Sequence, residues 1–326
     1  MAIRLSFNPQ KRDDPPSISI CKPAPQVTRL TDMTIFKQYE KIPLSNETVN
    51  PRQKKIEEIL EELDSLIGLE LVKKLVLEIR AFVEIQKRRA KENLITEPMV
   101  LHMIFKGNPG TGKTTVARIV GRLFKEMGLL EKGHIIEIER ADLVGEYIGH
   151  TAQKTREQIK RALGGILFID EAYSLARGGE KDFGKESIDT IVKNMEEYKD
   201  NLIIILAGYK DEMNWFIETN PGLRSRFSIH IDFPDYTKDD LMNIAVQMLQ
   251  KRQYQLTEDA KTELENVLTA IKATSDEYSG NARLIRNLIE KAMRQQALRL
   301  VAESNISRNE LILIHSSDIR LAANRN

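Results

Sequence analysis

The chain has 326 residues, 41 % of them hydrophobic and 30 % charged, with 49 Lys and Arg against 48 Asp and Glu. That length supports two domains and a sizeable core, and a formal net charge of +1 supplies no global field for nucleic acid or an anionic membrane surface. A single cysteine, Cys21, excludes an internal disulfide and a multi-cysteine metal centre. With no charged-then-apolar leader and no apolar run near ~18 residues, a cytoplasmic protein without a membrane span is expected.

Residues 1–52 hold seven of the eleven prolines, which predicts a flexible arm with little apolar surface to bury. From Gln53 the pattern turns helical, with Ile56, Ile59, Leu60, Leu63 and Ile67 at steps of three and four. After Gly68 the period restarts through Val72, Leu75, Val76, Ile79, Phe82 and Val83. This second helix ends in Lys87-Arg88-Arg89 and Lys91, which complement the negative end of a helix dipole.

An apolar run, Leu101-His102-Met103-Ile104-Phe105, then leads into Gly107-Asn108-Pro109-Gly110-Thr111-Gly112-Lys113-Thr114-Thr115. The spacing is G-x-x-x-x-G-K-[ST], the phosphate-binding P-loop. Glycines let successive backbone N–H groups point at one anion, and the helix that follows adds its positive end. Lys113 suits the outer phosphates of a nucleoside triphosphate, and the Thr114 hydroxyl suits Mg²⁺.

Further strands are predicted at 134–139, 166–169, 202–207 and 229–233, beside the one at 101–106. Helices are predicted near 113–127, 151–163 and 185–199. Short apolar strands alternating with helices indicate a parallel sheet covered on both faces. Pro234 closes that pattern. Beyond it the periodicity is helical over 238–252, 257–274 and 281–303. A short apolar run, Leu311-Ile312-Leu313-Ile314, and a last turn capped by Ser316 follow. The expected organisation is an arm (1–52), an α/β nucleotide-binding domain with N-terminal helices (53–235) and a small helical domain (236–326).

The strand Ile166-Leu167-Phe168-Ile169 ends in Asp170-Glu171, about fifty residues after the P-loop. Asp170 stands where P-loop proteins place the aspartate that organises Mg²⁺, and Glu171 is suited to orient and deprotonate the attacking water.

A P-loop, an Asp-Glu strand end and a helical C-terminal part together resemble the AAA+ ATPases. That resemblance implies an adenine contact at Leu66-Ile67-Gly68-Leu69, with Ile67 and Gly68 central. It implies an arginine finger in Asn220-Pro221-Gly222-Leu223-Arg224-Ser225-Arg226-Phe227, where Arg226 is preferred and Arg224 is its rival. It further implies a sensor 2 arginine, Arg283, in Gly280-Asn281-Ala282-Arg283. Guanidinium groups suit the charge that phosphoryl transfer spreads over the phosphate oxygens. One departure is Gly208-Tyr209, which follows strand 202–207 where many members carry Asn, Ser or Thr (sensor 1).

Within that class, the runs 139–151, 171–175 and 206–209 closely resemble the red-type rubisco activases. The run 176–186 is nearer still to a sporulation-associated branch of the same group. This likeness covers residues 55–305 and implies a hexameric ring that remodels a protein client. It places Tyr147-Ile148-Gly149 in a central-pore loop and 176–184 in a second one. Glycines on both sides of Tyr147 favour an exposed, mobile aromatic over a core one. An AAA+ loader acting on nucleic acid is the rival reading; the neutral charge balance and the absence of an appended DNA-binding motif count against it. Asp182-Phe183-Gly184 spells a kinase metal-binding triplet, but no His-Arg-Asp loop precedes it and the phosphate loop is of another kind.

Overall fold

The computed structural model describes residues 51–96, 99–147, 149–178, 182–274, 280–302 and 305–324. All of them lie in one compact unit, Val49–Asn326. The expected arm falls almost wholly outside the described residues, as do Ile148 and positions 179–181 of the expected second pore loop.

Two helices lead in, α1 (Pro51–Asp64) and α2 (Glu70–Lys91). Five strands then alternate with helices: β1 (Met103–Gly107), α3 (Lys113–Met127), β2 (Ile135–Ile138), α4 (Arg140–Leu143), α5 (His150–Ala162), β3 (Ile166–Ile169), α6 (Gly184–Glu197), β4 (Ile203–Gly208), α7 (Lys210–Glu218), α8 (Pro221–Arg226) and β5 (Ile229–Phe233). A 3₁₀ turn, Ala172–Ala176, follows β3. The strand order is β2-β3-β4-β1-β5, and every pairing is parallel.

The alternation of side chains along each strand builds two cores, one per face. Phe105, Ile166, Phe168, Ile203 and Ile205 pack with Val72 and Val76 of α2 and with Phe124 of α3. Their neighbours Ile104, Leu167, Ile169, Ile204 and Leu206 pack on the other face with Ile159, Met195 and Phe216. Both faces are therefore dry, which is why β3 and β4 read as continuous apolar runs.

The remainder is mainly helical: α9 (Lys238–Gln250), α10 (Glu258–Thr274), α11 (Asn281–Val301), α12 (Arg308–Ile312) and α13 (Ser316–Ala323). Leu241, Ile244, Leu264, Ile285, Ile289 and Ile319 form its core. Thr237 caps α9, with Asp240 returning a bond to the Thr237 N–H.

The differences from the sequence reading are local. Two helices, α7 and α8, fill the stretch between β4 and β5 that carried no assignment. The run 311–314 divides, since α12 stops at Ile312 and Leu313-Ile314 forms β7, which pairs parallel with β6 (Gln255–Leu256). A two-residue strand is too short for a period to register. Residue 315, not Ser316, precedes the last helix: His315 and Asp318 exchange the capping bonds, and Ser316 is the first helical residue. The basic end of α2 has structural partners, since Lys87 donates to the Met127 carbonyl, Arg88 pairs with Glu84 and Arg89 donates to the Ile95 carbonyl.

Candidate functional site

In an open parallel sheet the ligand edge lies at the carboxyl ends of the strands. Here β1 ends at Gly107, β3 runs into Asp170-Glu171, and β4, which lies between them, runs into Tyr209. The sheet order thus gathers at one edge three features that are far apart in sequence.

The P-loop joins β1 to α3. The first turn of α3 has no side-chain cap, which leaves its N–H groups for an anion. Lys113, the first residue of α3, is 9 % exposed, and its Nζ donates to the carbonyls of Gly107 (2.7 Å) and Asn108 (2.9 Å). Burial lowers its pKa, the nearby Asp170 carboxylate opposes that, and the Arg283 guanidinium adds to it. Thr114 is half-buried and Thr115 exposed on the same turn. Thr111 is fully buried, its hydroxyl donating to the Asn108 carbonyl at 2.8 Å.

Gly110 is where the phosphate loop meets α11 most closely. Its φ is +76°, and a Cβ there would lie 2.6 Å from the Gly280 carbonyl oxygen and 2.9 Å from the Arg283 N. The start of α11 therefore rests directly on the phosphate loop, and Pro109 and Gly110 both touch it: the Ala282 N–H donates to the Gly110 carbonyl at 3.2 Å. Arg283 itself is exposed.

Asp170 is half-buried, its N–H donating to the Ile138 carbonyl of β2 at 2.9 Å. Glu171 is exposed and has φ +47°, and its N–H bonds the Asp170 Oδ1 at 3.0 Å. A left-handed glutamate is uncommon and costs strain that the surrounding strand end must hold in place. Tyr209 lies beside Tyr173, with ring centroids 6.1 Å apart, and Arg177 stacks 4.5 Å over the Tyr173 ring.

Ile67 packs against the lid core, and a Cβ at Gly68 would lie 3.5 Å from the Tyr236 ring. The same phenol donates to the Thr111 carbonyl at 3.2 Å, and burial pushes its pKa up to about 12. Ile67, Gly68, Gly112 and Tyr236 thus converge beside the P-loop. Asp235 and Tyr236 were missed as site residues. Their one signal was the position directly after Pro234, where the chain leaves the sheet.

Arg224 and Arg226 close α8, away from the gathered edge residues. Arg224 is exposed, whereas Arg226 is half-buried, with Nη1 on the Gly222 carbonyl at 3.2 Å and a buried Nε without a partner. Tyr147 is 65 % exposed on the loop between α4 and α5, its ring edge-on to His150 at 5.4 Å. Gly149 has φ +83° and open space around it.

The donor set fits a magnesium nucleotide. Among the described residues no cluster of three His, Cys, Asp or Glu could hold a metal alone. A hydroxyl at Thr114 and a carboxylate at Asp170 suit Mg²⁺, which takes few protein ligands and completes its shell with phosphates and water.

Comparison with known proteins agrees with this geometry. The model of the ATPase family associated with various cellular activities (AAA) matches residues 103–235, and that of the AAA lid domain matches 237–326. The solved FIGL-1 AAA domain in complex with ADP has a TM-score of 0.53 at 20 % identity, covers 85 % of this chain and 91 % of its own, and shares the fold. Sequence relatives are nearer. Stage V sporulation protein K of Bacillus subtilis is 54 % identical over 267 residues, 82 % of this chain and 83 % of that protein. Protein CbbX of Cereibacter sphaeroides is 46 % identical over 267 residues, 81 % and 86 % of the two chains. The chloroplastic ribulose bisphosphate carboxylase/oxygenase activase of Cyanidioschyzon merolae is 43 % identical over 283 residues, 84 % and 96 %. The chain belongs to the AAA ATPases, in the family that includes these three relatives, and it is an ATPase.

Proposed function

We propose that the chain assembles into a hexameric ring that uses ATP hydrolysis to remodel a protein client, in the cytoplasm and during spore formation. The observation that carries this reading is a P-loop edge combined with an exposed, glycine-flanked aromatic, Tyr147, on the same α/β unit.

Gly107–Thr115 wraps the phosphates of ATP, Lys113 neutralises the outer ones, and Ile67, Gly68 and Tyr236 border the base. Thr114 and Asp170 hold Mg²⁺, which neutralises phosphate charge when bound. Glu171 orients the attacking water and takes its proton. Arg283 reaches the nucleotide of its own subunit and Arg226 that of the neighbour. The unpartnered Nε of Arg226 favours a site completed by a second copy, because buried donors are ordinarily paired. Tyr147, with Ile148 and Gly149, grips the client, and 176–184 forms a second loop of the pore. No nucleic acid takes part, consistent with the net charge of +1. The lone Cys21 suits a reducing compartment.

The sporulation role is favoured by the 54 % identity to stage V sporulation protein K, against 43–46 % for the activase-type relatives. Those relatives support a second reading, remodelling of a metabolic enzyme such as rubisco. Expression in a Bacillus subtilis strain lacking its stage V sporulation protein K separates the two. Restored heat-resistant spores, abolished again by Glu171→Gln, support the first. An active ATPase that restores no spores but reactivates inhibitor-bound red-type rubisco supports the second.

A further inference from the structure

The first residue of α11 holds the lid to the phosphate loop. Asn281 is 3 % exposed and has φ +42°, a conformation asparagine tolerates better than most side chains. Its Oδ1 accepts from the Tyr236 N–H at 3.0 Å. Its Nδ2 donates to the Asp235 carboxylate at 2.7 Å and lies 3.4 Å from the Pro109 carbonyl. Asp235 also accepts from Asn108 Nδ2 at 2.9 and 3.1 Å. With the bonds from the Ala282 N–H to Gly110 and from the Tyr236 phenol to Thr111, four consecutive loop residues are each tied to the hinge or to α11.

We propose that Asn281 is a positioning residue for ATP hydrolysis, whose amide, clamped between the Asp235 carboxylate and the Tyr236 N–H, fixes the first turn of α11 on the P-loop and so sets Arg283 over the phosphates. The amide is the group the place requires. One end must accept from a backbone N–H and the other must donate to a carboxylate, which neither a carboxylate nor an apolar side chain does. Asn281 reaches the reaction only through Arg283, two residues on. The inference rests on the reading of this edge as the ATPase site with Arg283 at the nucleotide.

The test is steady-state ATP hydrolysis by the full chain carrying Asn281→Asp, Asp235→Asn, both together, or Arg283→Ala, with a thermal melt of each. Asn281→Asp sets two carboxylates against each other where a 2.7 Å bond stood. Its kcat should fall on the order of 10²-fold, as for misplaced catalytic groups, with a much smaller change in the KM for ATP. The double variant exchanges donor and acceptor. The new amide at 235 donates to the new carboxylate at 281 and still accepts from Asn108, while the carboxylate still takes the Tyr236 N–H. Most of the lost kcat should return, a rescue that general destabilisation does not give. If Asn281→Asp melts too low to assay, Asn281→Ser supplies the single-variant loss. A parental kcat in the folded single variant, or a double variant that melts like the parent yet stays slow, overturns the proposal. Full turnover in Arg283→Ala removes the underlying reading and the inference with it. Loss in Arg283→Ala beside an unaffected Asn281→Asp removes the inference alone.

Discussion

The Arg140 guanidinium joins Asp182 to the Ser174 carbonyl, and so ties the start of α4 to both ends of the segment after β3. The carboxylate is mostly buried, and the hydrogen bond from Arg140 is the main cause that holds its pKa below the usual carboxylate range. Both loops that carry the expected pore residues hang from this bridge.

Arg140→Ala should destabilise the chain by about 1–2 kcal/mol, a charge-assisted bond reduced by solvent at a guanidinium one-third exposed. A depressed acid contributes stability above its unfolded pKa, 3.8, and loses it as pH falls through the lower folded value. Urea unfolding at neutral pH should therefore separate parent from variant, and the gap should close in acid. A gap independent of pH would show that the bridge is not the source.

Glu171→Gln should still bind ATP but turn it over about 10²–10⁴ times more slowly, the range for general-base assistance. A fluorescent nucleotide measures the binding and phosphate release the rate. Near-parental turnover would remove Glu171 from the role of base.

If Arg226 acts on the neighbour's nucleotide, specific activity should rise with protein concentration as rings assemble. Fingers supplied in trans are worth about 10³–10⁵ in rate. Arg226→Ala mixed with Lys113→Ala should recover part of the activity, because some mixed interfaces hold both intact groups. Arg224→Ala, tested in the same mixture, decides between the two arginines of α8. Full activity in a monomer contradicts a trans finger altogether.

What the sequence made legible follows from the range of each signal. A continuous apolar run reports burial on both faces in β3, and strict alternation reports the half-buried edge strand β5, so both are bounded to the residue; α3 is too because the P-loop fixes its start. The P-loop and Asp170-Glu171 are contiguous patterns tied to chemistry. The contacts that close the site are not contiguous: Asp235 and Asn281 lie 46 positions apart, and Asn108 is 127 from Asp235. Asn108 and Asn281 each stand in a motif, but neither motif names Asp235 as the partner, and only the folded hinge brings the three together.

His102 lies where β1 begins. Its Nδ1 accepts from the Ile204 N–H at 3.1 Å, its ring meets Phe227 at 5.9 Å, and burial lowers its pKa from 6.5 to about 4, against smaller opposing effects from the Met195 backbone and Glu196. The fold thus favours the neutral ring. Its contribution is complete above pH 6.5 and is lost between there and pH 4, at a total cost of about 3 kcal/mol. His102→Gln keeps an acceptor but cannot titrate. Its stability should change less than the parent's between pH 7 and pH 4.5, and parallel curves would remove His102 as the source.

Tyr147 offers the sharpest separation between packing and function. At 65 % exposure its ring meets His150 edge-on and, among the described residues, belongs to neither core of the sheet. Removing a buried aromatic costs about 3–5 kcal/mol, which Phe105→Ala should show, since Phe105 is fully buried between Phe168 and Phe233. Tyr147→Ala should move stability by less than about 0.5 kcal/mol, as surface changes do. ATP binding, ring assembly and basal hydrolysis should persist, because Tyr147 is not one of the side chains assigned to the phosphate edge. Work on the client should nevertheless fail, since a flat ring with a polar tip is what grips varied side chains without reading their sequence. Tyr147→Phe keeps the ring and should retain most of that work. Spore recovery in the Bacillus subtilis host, measured beside the melting temperature, reads both effects. A parental melt with lost spore recovery supports a gripping tyrosine, whereas full recovery by Tyr147→Ala takes the residue out of the remodelling step.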